Sequence, residues 1–197
     1  PARIERVFAV GIDPGLSRCG YGAVRSTAGR LSLEAYGHLS SPPDQPLAER
    51  LAALLGEIDV LLAELRPDVV VVERVLFQVN ARTAMAVGQA SGIALAVAAR
   101  RGCPVAQYSP NEVKQAVTGY GSAPKQQVQR MVASLLGLVD VPGPPDRADA
   151  LALAVCHLSG AGLRAAAEAA EATGAGDGAR RAERSGVPAG GRRGLRA

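Results

Sequence analysis

The chain opens with VFAVGID (Val7 to Asp13), an apolar run rich in β-branched residues that ends on an acid and then turns through Pro14 and Gly15. This is the pattern of a buried strand. Two further strands are predicted at Tyr21 to Ser26 and Leu31 to Ser40, separated by the turn-like Thr27-Ala28-Gly29. Three closely spaced strands imply an antiparallel meander. Leu47, Leu51, Leu54, Leu55, Ile58, Leu61, Leu62 and Leu65 then recur at the spacing of one helical face, with Pro46 suited to the first turn and Pro67 as the stop. DVVVVE, Asp68 to Glu73, has no polar face, so it predicts a central strand covered on both sides.

A helix is predicted from Ala81 to Arg101, ending at Gly102, followed by a short strand from Pro104 to Tyr108. SPNE opens the next helix, with Ser109 as N-cap, Pro110 first and Glu112 completing a capping box. The glycine-bearing loop GYGSAPK follows, and Ser122 is expected to cap a helix reaching about Leu136. The last helix is expected from Asp146 to about Gly160. Together these elements describe a mixed α/β domain built on a five-stranded sheet. After Leu163 the apolar periodicity stops, so the chain divides into a folded region at 1–163 and an Ala/Gly/Arg-rich tail at 164–197, expected to be disordered.

Charge changes this picture little in sum and more in its distribution. The net charge is +4, but the tail alone carries seven Arg against four acids, leaving the body nearly balanced. An anionic partner must therefore be met by a local basic patch. Cys19, Cys103 and Cys156 lack metal-ligand spacing and read as reduced, buried small residues. No basic-then-apolar leader pattern is present, and the apolar helix at Ala84 to Ala99 is too short to cross a bilayer. A soluble, cytoplasmic protein with no membrane partner is expected.

The candidate chemistry lies in acids. Glu73 ends the Val strand as Asp13 ends the first, so adjacent strands would bring the two carboxylates together at one edge. Each alone reads as a solvated turn residue. As neighbours about 4 Å apart they would repel by roughly 4 kcal/mol at an effective dielectric of ~20, which calls for a cation. In PDRADALALAVCH, Asp146 and Asp149 share one helix face, and the apolar stripe Leu151, Leu153, Val155 draws that turn towards the core. Favouring the helix dipole would account for one such acid. Four carboxylates without His or Cys describe a hard-oxygen site suited to Mg²⁺ or Mn²⁺. Two such ions about 3.5–4 Å apart would stabilise both oxygens of a phosphodiester displacement.

GIDPGLSRCGYG, VVVERVLFQVNA, GQASGIALA, VKQAVTGYGSAPKQQVQRMV and DRADALALAVCH, in this order over residues 6 to 160, resemble the RuvC family of Holliday junction resolvases. The resemblance implies a ribonuclease H-like fold and a homodimer that nicks opposing strands of a four-way DNA junction with Mg²⁺. It implies a role in recombination and repair beside the RuvA and RuvB branch-migration proteins. By motif position, Asp13, Glu73, Asp146 and Asp149 are the metal-binding, catalytic acids. Lys114 and Lys125 are the lysines beside the scissile phosphate and its strand, with Lys114 also counted as catalytic. Arg74 points the other way along the strand and reads as structural or as a distal phosphate contact.

The resemblance implies a base-stacking aromatic shortly after the strand Glu, near the third position. Here that position is Leu76, and Phe77 is the candidate. The Gly- and Ala-rich helix from Ala81, with Gly88 and Gly92, is the expected dimer surface. His38 and His157 receive no role. Two alternatives are a junction-binding scaffold that has lost catalysis, against which the presence of all four acids argues, and a related nuclease acting on RNA. The actin-like ATPase and sugar-kinase fold opens similarly but needs two such domains, for which 197 residues are too few.

Overall fold

The computed structural model describes residues 6–74 and 81–160, with the side chains of 81–83 excepted. Phe77 and the tail lie outside the described residues. Strands β1 (Arg6–Asp13), β2 (Arg18–Thr27) and β3 (Arg30–Ser40) form the antiparallel meander. Helix α1 (Leu47–Leu65) leads to β4 (Val69–Glu73), which pairs parallel with β1. Helix α2 (Ala81–Arg100) leads to β5 (Val105–Tyr108), parallel to β4. Helices α3 (Pro110–Thr118), α4 (Lys125–Leu135) and α5 (residues 145–160) complete the fold. The sheet order is β3-β2-β1-β4-β5, a five-stranded mixed sheet with β1 at its centre.

Strand alternation divides the core in two. Phe8, Val10, Ile12, Val70 and Val72 face α1 and α2, together with Leu54, Ile58, Leu62, Ala94 and Val97. Ala9, Val69 and Val71 face the other way, against Val113, Val128, Val132, Leu151 and Val155 of α3, α4 and α5. The Val run of β4 is buried on both faces because each face has its own helical layer.

Helix α5 lies close against the sheet. At Gly11 a Cβ would stand 2.0 Å from the Ala150 carbonyl oxygen, so only glycine admits the helix backbone there. Helix α3 starts on the expected capping box: Ser109 Oγ accepts from the Glu112 N–H, and the Glu112 carboxylate accepts from the Ser109 N–H.

Two local expectations are corrected. Ser122 does not cap α4; Pro124 occupies the N-cap with no side-chain hydrogen bond. A proline disfavours helical geometry in the residue before it, so Ala123 cannot be the first helical residue that a Ser122 cap requires. Pro46 is likewise the N-cap of α1 rather than part of its first turn, its extended ψ of 142° lying outside the helix. Helix α2 is covered on one face. Ala90, Ala94, Val97 and Ala98 are buried, while Met85, Gly88, Gly92 and Ala96 are exposed. Among the described residues, no helix is long and apolar enough to cross a membrane.

Candidate active site

Ile12 of β1 is in register with Val72 of β4, so the next residue on each strand, Asp13 and Glu73, leaves the sheet at the same edge. By alternation both side chains fall on the face of Ala9 and Val71, where α3, α4 and α5 pack. A cavity of about 380 Å³ opens there, lined by Asp13, Glu73, Lys114, Lys125 and Asp149 with a floor that includes Val113, Val128 and Leu153. Five separate elements therefore deliver three carboxylates and two ammonium groups to one place.

Burial first, and like charge after it, act on these acids. Burial above all, then the charges of Asp149 and Glu73, push the Asp13 carboxyl up to about 7 from its ordinary 3.8; Lys125 opposes the rise. Glu73 is also raised, by burial first and then by Asp149, against the pull of Lys125 and Lys114. Lys125 Nζ lies 2.5 Å from Asp149 Oδ2. An ammonium in the first turn of a helix opposes the dipole, and this ion pair offsets that cost.

Although its charge also adds to the rise of Asp13, Asp146 does not line the cavity. Its Oδ1 is 3.8 Å from an Arg18 guanidinium nitrogen, and its Oδ2 is buried without a hydrogen-bond partner. Among the described residues, no three acid, His or Cys side chains form a preset metal cage. The donor chemistry nevertheless fits a hard divalent cation. The cavity offers carboxylate oxygens with no His or Cys, two acids are held above their ordinary range by burial and then by the charge of Asp149, and one carboxylate oxygen is buried and unsatisfied.

Arg74 does not line the cavity. It donates to the Gln107 carbonyl at 3.2 Å and lies 3.8 Å from Glu112, which identifies a structural tie between β4, β5 and α3. Sequence reasoning missed the contacts behind Asp146. Arg18 faces it from β2, and the next residue, Arg147, reaches His38 on β3. Only the strand register, which runs Asp13, Gly20, His38 across the sheet, could have signalled the latter.

The family model described as crossover junction endodeoxyribonuclease RuvC matches residues 9–157. The chain belongs to the RuvC family. A RuvC from Moorella thermoacetica is 50% identical over 153 residues, covering 78% of this chain and 92% of that protein. One from Streptomyces avermitilis is 52% identical over 150 residues, covering 76% and 85%. Among solved structures, Thermus thermophilus RuvC in complex with a Holliday junction substrate is 36% identical with a TM-score of 0.74, covering 79% of this chain and 94% of that one. The yeast mitochondrial Holliday junction resolvase, at 13% identity, covers 77% of this chain and 78% of that one and shares the fold with a TM-score of 0.58. The ribonuclease H-like architecture and a nuclease family are thus established for this chain.

Proposed function

We propose that this RuvC-family chain is a divalent-metal-dependent endonuclease that resolves four-way DNA junctions by paired, symmetrical nicks in opposing strands, in recombination and repair. The observation that carries the reading is the set of mutually repelling acids at the ends of β1 and β4, facing two lysines across one cavity. Such a set stores unfavourable charge that a cation relieves. In this reading Asp13, Glu73, Asp146 and Asp149 hold Mg²⁺, with Mn²⁺ as a substitute and two ions per site. When bound, the ions supply activation of the attacking water and neutralisation of charge on the phosphate.

The remaining chemistry belongs to the chain. Asp13 and Glu73 are fixed by the paired strands, so they provide the rigid half of the site. Asp149 is shared with Lys125 and becomes a full oxygen donor when that lysine turns to a DNA phosphate. Lys114, projecting from α3, contacts the phosphate beside the cut. Phe77 is assigned the stacking role at the opened junction centre.

The exposed small-residue face of α2, with Met85 at its end, supports a homodimer whose two sites address opposing strands. Partnership with the RuvA and RuvB branch-migration proteins and action in the cytoplasm complete the proposal. The test is cleavage of a mobile four-way junction, the same sequence as linear duplex, and an RNA–DNA hybrid, each with Mg²⁺ and with EDTA. Nicking confined to the junction and abolished by EDTA is expected. Preference for the hybrid identifies an RNA-acting nuclease, and junction binding without cutting identifies a scaffold; either outcome overturns the proposal.

A further inference from the structure

The start of α5 is tied to the far side of the sheet by two residues that have no role in the reading above. Asp13 on β1 is in register with Gly20 on β2, and Gly20 with His38 on β3, so the three form a row across the sheet. Asp146 sits over the middle of that row. A Cβ on Gly20 would lie 2.2 Å from the Asp146 carbonyl oxygen and 3.2 Å from its Cβ, so the missing side chain is what lets this turn settle on the sheet. Immediately after it, Arg147 Nη2 is 3.0 Å from His38 Nδ1 and Nη1 donates to the Gly143 carbonyl at 2.9 Å. A guanidinium only donates, so Nδ1 of His38 is the acceptor. Arg147 therefore joins three pieces: the loop before α5, the first turn of α5, and β3.

The alternatives for holding this turn are weaker. The Arg18 contact to Asp146 is 3.8 Å long, beyond hydrogen-bond range, and its guanidinium side is half exposed. Arg147 Nε is buried with no partner, so the side chain keeps its fork on His38 and Gly143 while one donor goes unmet. Asp146 precedes Arg147 by one residue and Asp149 follows it by two. Any slide of this turn moves both acids relative to Asp13 and Glu73, which are fixed on other elements.

We infer that Arg147, clamped by His38, is a positioning residue that sets the α5 pair of acids against the strand pair; the inference rests on the site assignment proposed above. It touches neither substrate nor reacting atoms and acts through Asp146 and Asp149.

The test uses the full chain with His38→Leu, which removes the acceptor, His38→Asn, whose Oδ1 replaces Nδ1, Arg147→Met, and the double variant His38→Leu/Arg147→Met. Four quantities are read: single-turnover junction nicking in saturating Mg²⁺, Mn²⁺ affinity of the DNA-free protein by electron paramagnetic resonance, junction affinity in Ca²⁺, and melting temperature. Loss of outer partners of a metal site costs about 10–100-fold in affinity or rate. His38→Leu and Arg147→Met are each expected to slow nicking and weaken Mn²⁺ binding in that range, with junction affinity unchanged. His38→Asn should restore both, and the double variant should be no worse than Arg147→Met alone. Wild-type nicking and Mn²⁺ affinity in His38→Leu overturns the clamp. So does a loss that His38→Asn fails to rescue, or one that adds to that of Arg147→Met. Asp13→Asn run alongside separates the two ideas. If Asp13→Asn is inactive while His38→Leu is normal, the clamp alone fails; if Asp13→Asn cuts normally, the site assignment itself fails.

Discussion

Replacing Asp13 with Asn should stabilise the metal-free protein while destroying its activity. A carboxyl held at about 7 in the folded state and 3.8 when unfolded costs the fold about 4 kcal/mol once the pH exceeds 7. Below pH 4 both states carry the proton and the cost vanishes. Between pH 4 and 7 the folded state keeps a proton that the unfolded state releases, so stability falls as pH rises. Above 7 the penalty is constant. Asn has nearly the same shape and no charge, so it removes the penalty.

In a domain of this size about 1 kcal/mol corresponds to roughly 2–4 °C, so full recovery of the penalty is a gain of about 8–16 °C at pH 8. The gain should shrink steadily towards pH 4. Circular-dichroism melts in EDTA at pH 4, 6 and 8 measure it. Junction binding in Ca²⁺ should survive, because backbone contacts come from basic residues, while nicking in Mg²⁺ should fall by orders of magnitude. A lower melting temperature for Asp13→Asn at pH 8, or a gain independent of pH, would show that Asp13 is a satisfied turn residue and refute the reasoning.

Three other outcomes follow from the same contacts. Lys125→Gln releases Asp149, so the DNA-free protein should bind Mn²⁺ more tightly by titration calorimetry although it nicks more slowly; unchanged or weaker Mn²⁺ binding counts against the ion pair as a competitor. Gly11→Ala forces a Cβ against the Ala150 carbonyl, so denaturant melts should show a loss of at least about 1–3 kcal/mol, with reduced nicking because α5 is displaced. Gly88 and Gly92 face open space, so Gly88→Leu/Gly92→Leu should fold normally yet sediment as a monomer where the parent sediments as a dimer; a monomeric parent at micromolar concentration refutes the α2 interface.

Much of this molecule was legible in its chain because strong local signals agreed with the tertiary result. The Val run of β4 and the Ser109 capping box form as their residues imply, and α1 forms where its leucines recur, burying Leu54, Ile58 and Leu62 while Leu47 and Leu55 stay exposed. The two acids that close β1 and β4 meet at one edge because each directly follows its strand's buried apolar run, and the structure pairs those runs in register. Ser122 failed as a cap because the competing constraint of Pro124 acts on backbone geometry before a side-chain hydrogen bond can form.

Helix α2 was legible only in part. Its composition is uniformly small and apolar, so periodicity could not reveal that only the Ala90, Ala94 and Val97 face is covered. The Arg147–His38 contact spans 109 residues and depends on register between strands, for which the sequence offers no local cue. Asp146 is an intermediate case: its helix position was readable, but its pairing with Arg18 depends on how α5 sits over β2.

The most direct test of the account is to map the cuts made in one immobile four-way junction labelled on each strand in turn, in Mg²⁺ and in EDTA. The account predicts two nicks at symmetry-related positions on opposing strands in Mg²⁺, and none in EDTA. A single unpaired nick, cuts on adjacent strands, or cutting that persists in EDTA would contradict it.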